Sequence, residues 1–266
     1  MSGKSILEQL NLKVRNDIDN VLFWKDGRFI YTFKDNTYRK FQIIYYDDRI
    51  DIRPESGYPK NISLTWGNIQ GPFDACGYVH FNNRDLLMFV KDRNYWLYDD
   101  NANRVFEGYP RDFGSFELFR NKREFENIQN IDAIFKWRDG NMAYNCFVSG
   151  HKIFTIDVNN PSVLRSNNFS QMFPELPNFV RSVSHIPHKD FIIVFADFKW
   201  FVYDQLNRKV IQLNDNLGNN QLKEGSAGQI KKMQEWCKQL YEEEIYNKDD
   251  YNKCVTDSRM VGMSLE

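Results

Sequence analysis

The residues able to do chemistry are scattered along the chain rather than gathered. Four histidines (His80, His151, His185, His188) and four cysteines (Cys76, Cys146, Cys237, Cys254) are its soft or titratable ligands. His185-Ile-Pro-His188 has the spacing of a metal pair, but Pro187 breaks the continuous helix that would align the two rings. No cysteine or carboxylate pattern completes a zinc set around either ring, and no CxxC pair occurs. The acidic pairs Asp47-Asp48 and Asp99-Asp100 fall in turn-like stretches, where a solvated surface explains them better than an acid and base flanking a bond. A GxSxG elbow, a P-loop, an HExxH helix, a GxGxxG turn and an EF-hand loop are all missing from the sequence. The expectation is a protein that binds without reacting. A small hydrolase with a site assembled from distant segments would leave little linear trace and stands as the enzymatic alternative.

What must position any such site is a repeat. Four segments open alike: Ile18-Asp19-Asn20-Val21, Phe73-Asp74-Ala75-Cys76, Ile131-Asp132-Ala133-Ile134 and Val180-Arg181-Ser182-Val183. Their second members lie 55, 58 and 49 residues apart, a period of the size found in propeller blades. Fourteen or sixteen residues after each second member stands an apolar residue, then a short link containing Asp or Gly, then a large residue five positions on. These are Phe33 to Tyr38, Val90 to Tyr95, Val148 to Ile153 and Phe195 to Trp200, and each reads as a strand, a tight turn and a returning strand. Three returning strands run on to Asp99, Asp157 and Asp204. Gly57-Tyr58-Pro59 and Gly108-Tyr109-Pro110 close the first two units, and Phe173-Pro174 takes the equivalent place in the third. Proline suits a sheet edge or an outer connection, where its missing N–H does no harm.

The order of these landmarks resembles the haemopexin-type repeat, most closely in the second unit. The resemblance implies an all-β fold, a four-bladed β-propeller with blades near 18–70, 73–128, 131–178 and 180–214. A two-sheet sandwich is the alternative architecture. The composition agrees with a β-rich fold: 22 Phe, 14 Tyr and 6 Trp bring aromatics to 16% of the chain.

In a propeller, backbone carbonyls at one end of four inner strands can ring a hard cation, and nearby N–H groups can face an anion. The resemblance places such a calcium or sodium ion on the main-chain oxygens of Asp19, Asp74, Asp132 and Arg181. It places the anion on the amides of Val21, Cys76, Ile134 and Val183. The side chains of the three aspartates are expected instead to bond local backbone at the strand starts. The guanidinium of Arg181 weakens the cation site or stands in for the ion. Some relatives bind haem, which the histidine pattern here does not indicate. Relatives that are enzymes carry their chemistry in a separate domain. Protein, glycan or small-molecule partners follow as expectations of the resemblance.

Outside the repeat, Ser5 and Glu8 form a capping box for a short helix within residues 1–17. Residues 215–266 hold a turn-rich linker and an amphipathic helix in which Ile230, Met233, Cys237 and Leu240 share a stripe. That helix packs on the propeller or, as an alternative, mediates a homodimer, the chain then being a structural, storage or toxin-associated assembly protein. The first ten residues lack a leader pattern, so a cytoplasmic location with reduced thiols is expected; a processed mature form would be secreted. The charge of -1 provides no field for nucleic acid, and no apolar run is long enough to span a membrane. Asn61-Ile-Ser63 and Asn168-Phe-Ser170 are glycosylation sequons compatible with export. With no cysteine in the first or fourth unit, ring closure must rest on packing, braced by residues 1–17 or by the terminal helix.

Overall fold

A computed structural model describes residues 18–214 apart from 46–49, 68, 121, 127, 187–189 and 197–198. The expected N-terminal helix, the tail helix, Asp47-Asp48, His188, Cys237 and Cys254 lie outside the described residues. No described helix is long and apolar enough to cross a membrane.

The repeats form four antiparallel sheets. The first contains β1 (Asn20–Phe23), β2 (Phe29–Lys34), β3 (Thr37–Tyr45) and β4 (Ile50–Pro54) in that order, with β5 (Lys60–Asn61) also pairing with β3. In the second, β6 (Ala75–Phe81), β7 (Arg84–Lys91) and β8 (Asn94–Asp99) are joined on the outside by β9 (Arg104–Val105) and β10 (Arg111–Asp112). The third runs β11 (Ala133–Asp139), β12 (Met142–Ser149), β13 (Lys152–Asp157), β14 (Leu164–Asn168). The fourth runs β15 (Ser182–Ile186), β16 (Phe191–Ala196), β17 (Lys199–Asp204), β18 (Lys209–Asn214). The inner strands β1, β6, β11 and β15 touch one another in ring order, so the sheets are blades of a closed four-bladed propeller.

Alternation along the inner strands decides which seam each side chain fills. Val21 and Phe23 join Ile186 and Phe195 of the fourth blade, whereas Leu22 turns to the second blade and packs with Phe73 and Phe89. Val79 and Ile134 share the seam between blades two and three, and Phe135 and Val183 the seam between three and four. The aromatic excess concentrates between blades one and two. There Trp66 sits 5.3–5.8 Å from Tyr31, Phe33, Tyr38, Phe89 and Tyr98, with Trp24 at 6.0 Å. Edge-on and tilted pairs of this kind add to simple burial.

Two families of aspartates fix the turns. Asp99, Asp157 and Asp204 end their strands and accept from amides two and three residues on, at 2.8–3.2 Å. Each holds the turn toward the outermost strand. Hydrogen bonds from Asn207 and Leu206 keep the Asp204 carboxyl below the usual carboxylate range.

Candidate functional site

The first candidate is the end of the axis where the repeats open. Asp19, Asp74 and Asp132 stand just before β1, β6 and β11, as expected, but their carboxylates do not bond the strand starts. Each reaches across its own sheet to the hairpin between the second and third strands. Asp35 N donates to Asp19 Oδ2 at 2.7 Å, Asp92 N to Asp74 Oδ2 at 2.6 Å, and Gly150 N to Asp132 Oδ2 at 2.6 Å. Those amides belong to residues with φ of 51°, 54° and 58°, so the carboxylate secures a left-handed turn residue. Burial, the charge of Asp92 and, in opposition, the Asp92 amide leave Asp74 raised above the usual range. Burial first, with the charge of Asp74 against it, pushes the Asp132 carboxyl up to about 6 despite its bonds to Gly150 and Asn130. The Asp74 charge of blade two thus adds to the upward shift of Asp132 in blade three.

Where the second and third openings have Ala75 and Ala133, the first and fourth have Asn20 and Ser182, and both of these bond a neighbouring blade. Asn20 Nδ2 donates to Phe73 O at 3.1 Å and to Asp74 O at 3.3 Å, linking blade one to blade two. Asn20 Oδ1 is buried and has no hydrogen-bond partner among the described residues. At the same position in blade four, Ser182 Oγ accepts from Val21 N at 3.1 Å, and two residues on Ser184 Oγ accepts from Phe23 N at 3.0 Å. The Val21 amide, expected to face an anion, is thus committed to a hydroxyl. The four-amide anion site, with Cys76, Ile134 and Val183 as its other members, lacks this donor.

The oxygens at the mouth suit a hard cation. A carbonyl oxygen has two lone pairs, so Asp74 O can accept from Asn20 and still face an ion, and Asn20 Oδ1 is a further neutral oxygen. Arg181 begins the fourth opening, its N–H donating to Phe195 O at 2.8 Å. Among the described residues no cluster of three or more His, Cys, Asp or Glu side chains could hold a metal. Cys76 and Cys146 are buried free thiols whose ionisation burial pushes upward.

Partway along the second blade, His80 N donates to Asn145 Oδ1 at 2.7 Å and Asn145 Nδ2 returns a bond to His80 O at 2.9 Å. His80 Nδ1 lies 3.0 Å from Asp85 Oδ1, and Lys136 Nζ of the third blade donates to Asp85 Oδ2. Burial alone would raise the Asp85 carboxyl, but bonds and charge from Lys136 and His80 outweigh it and hold it below the usual range. Such a group stabilises the fold above its unfolded-state value, near pH 4, and that contribution is lost as pH falls through the folded value. Asp85→Asn is expected to lower stability by about 1 kcal/mol at pH 7, a figure discounted for partial exposure, and by much less at pH 3. Urea denaturation at the two pH values checks this, and an equal loss at both would refute the ion-pair role.

A second candidate was not visible in the sequence. On the outer part of blade two, a cleft of about 430 Å³ is lined by Arg84, Arg104 and Arg111 together with Leu86, Leu97 and Phe106. The Arg84 guanidinium lies over the Phe106 ring at 4.9 Å and Arg111 over Tyr109 at 4.6 Å. Arg84 Nη1 also meets Asp99 Oδ2 at 3.3 Å, and Arg111 Nε donates to Gly108 O at 3.1 Å. The three arginines come from β7, β9 and β10. Only the neighbourhood of Arg111 to the Gly108-Tyr109-Pro110 closer gave a signal that could have drawn attention to them.

Comparison with known proteins agrees on the architecture. The haemopexin-fold protein CP4 from cow pea is 14% identical, with a TM-score of 0.57 over 74% of this chain and 92% of that one. A plant albumin from Cicer arietinum showing haemagglutination is 15% identical, with a TM-score of 0.57 over 74% and 92%. A plant lectin from the same species, described as having two metal-binding sites, is 16% identical, with a TM-score of 0.55 over 76% and 91%. Interstitial collagenase B of Mus musculus is 34% identical over 131 residues, 48% of this chain. That stretch is 26% of the collagenase, so the chain matches about a quarter of its length. No established family description matches the chain. The shared fold is the haemopexin-type four-bladed propeller.

Proposed function

We propose that this haemopexin-type propeller is a non-catalytic binding protein: a hard cation, calcium or sodium, sits at its axis mouth, and its surface receives a protein, glycan or small ligand. The observation that carries the cation is the Asn20 carboxamide at the mouth, whose Nδ2 donates to the Asp74 carbonyl while its buried Oδ1 meets no hydrogen-bond partner among the described residues. A buried oxygen with no donor is costly unless something positive meets it. The main-chain oxygens of Asp19, Asp74, Asp132 and Arg181, with Asn20 Oδ1, would hold the ion. The aspartate carboxylates would add charge while keeping their hairpins. When bound, the ion supplies charge neutralisation at the mouth and a tie between blades, not a reaction. The lectin and the haemagglutinating albumin among the structural neighbours support the binding half of this reading, and the described side chains support no reacting constellation.

Melting of metal-stripped protein with added calcium tests the cation. An ion at one hundred times its Kd stabilises by about 2.7 kcal/mol, which raises Tm by roughly 5–10 °C in a domain of this size. The same rise in sodium over choline chloride would assign sodium instead. Asn20→Ala should shrink the shift, and a Tm indifferent to both ions would remove the cation. Titration with haem, followed at the Soret band, checks whether the small ligand is haem.

A further inference from the structure

The cleft on the second blade combines features that select one chemical class. Its cationic side is built from three arginines against a single lining carboxylate, Glu107. Two of the arginines are held in place. Arg84 is fixed by Asp99 and by the face of Phe106, and Arg111 by Gly108 O and the face of Tyr109. A guanidinium carries five N–H donors, so each keeps several after these contacts. No ion pair or hydrogen bond of the Arg104 side chain is formed among the described residues. Positioned, stacked guanidinium groups suit the bidentate recognition of carboxylate, sulfonate or phosphate oxygens.

The rest of the lining is mixed, with Asn82 and Glu107 beside the partly buried Phe81, Val105, Phe106 and Tyr109. Leu86 and Leu97 are each 3% exposed and form part of the core between blades two and three, and Phe106 and Tyr109 pack against that same core. Partly buried rings beside arginines, in a space of this volume, can take a small ligand that has both an apolar and an acidic part. A bare inorganic anion would use the arginines and leave the partly buried rings of Phe81, Phe106 and Tyr109 facing water. A neutral apolar molecule would cover the rings and leave Arg104 and Arg111 without a counter-charge, whereas Arg84 is paired with Asp99.

We propose that the cleft lined by Arg84, Arg104, Arg111, Leu86, Leu97 and Phe106 binds a small amphipathic organic anion, an acidic head joined to a flat or compact apolar body. The head lies among the guanidinium groups and the body against the partly buried Phe81, Phe106 and Tyr109 rings, above Leu86 and Leu97. This deepens the reading of the chain as a binder by naming the small ligand's chemistry, and it does not depend on the axial cation.

Isothermal titration of the full chain with 2-naphthoate tests the assignment, with 2-naphthamide and sodium sulfate as comparison probes. Naphthoate is expected to bind below about 1 mM, the amide and sulfate each at least tenfold more weakly. Arg104→Ala and Arg111→Ala should each weaken naphthoate ten- to one-hundredfold, the range for one charge-assisted hydrogen bond. Arg138→Ala, outside the cleft, should leave it unchanged. Circular dichroism and melting show whether each variant is folded. If Arg111→Ala fails to fold, Arg104→Ala on an exposed outer strand decides. No binding at 5 mM, equal binding of the amide, or indifference to Arg104→Ala would each overturn the assignment. Loss of the calcium effect with naphthoate binding intact would sink the axial cation alone, and the reverse outcome would sink this cleft alone.

Discussion

Among the glycines of the described residues, Gly77 is the one where an added methyl group is expected to do most damage, as Gly77→Ala. A Cβ at Gly77 would lie 1.9 Å from Ile134 O and 2.6 Å from the Ile134 carbonyl carbon. Both are backbone atoms of β11, the inner strand of the next blade. A flexible side chain could swing away, but a backbone carbonyl in a paired strand moves only if the strand moves. Ile134 pairs with Phe147 in its own sheet and packs in the seam between blades two and three, so the shift would spread into that core. Overpacking of a tight core costs about 1–3 kcal/mol, and more when backbone must give way. A loss of about 3 kcal/mol or more is expected, which lowers Tm by roughly 6–12 °C in a domain of this size. Thermal and urea unfolding measure it. A loss under 1 kcal/mol would mean that β6 and β11 do not approach as closely as described.

That glycine illustrates why the sequence revealed the fold better than its details. The repeat period and the hairpin landmarks are local regularities, and they located all four inner strands. Gly77 looks like an ordinary small residue in a strand, because the atom that forbids a larger one lies 57 residues away in Ile134. The aspartates Asp19, Asp74 and Asp132 were visible as a recurring type, yet their side-chain partners depend on sheet register. Only the pairing of the first and second strands brings each carboxylate to the left-handed residue of its own hairpin. Asn20 and Ser182 stand where the second and third repeats have Ala75 and Ala133. In the folded ring they are the residues that reach into neighbouring blades. The cleft left still less trace, since Arg84, Arg104 and Arg111 share no period and meet only when β9 and β10 fold back on β8. The separation is physical. Strand patterning is written in neighbouring residues, whereas contacts across seams are set by how blades are rotated about the axis.

The seam between the last blade and the first follows from the same geometry, and its disruption should rank with Gly77→Ala. The described residues hold no disulfide across it, the two described cysteines both being free. Two kinds of contact close it. An apolar cluster brings Val21, Phe23 and Ile30 of blade one against Ile186, Ile193 and Phe195 of blade four. Along its inner margin, Ser182 and Ser184 accept from the N–H groups of Val21 and Phe23, which point away from β2. Ser182 and Ser184 are themselves 1% and 5% exposed, so water cannot readily replace a lost hydroxyl. Removing both hydroxyls strands two buried donors at about 1–3 kcal/mol each. The double variant Ser182→Ala/Ser184→Ala should therefore lose roughly 2–6 kcal/mol, with each single variant losing about half. Because the effect falls on ring closure, amide exchange should quicken first in β1 and β15, before the β6–β11 seam loosens. A double variant within 1 kcal/mol of the parent, or one whose exchange quickens evenly around the ring, would show that the apolar cluster closes the seam unaided. Ser182→Thr and Ser184→Thr keep the acceptor oxygen and add one methyl. Recovery of stability in either, relative to its alanine counterpart, would assign the loss to the hydrogen bond rather than to the removed volume.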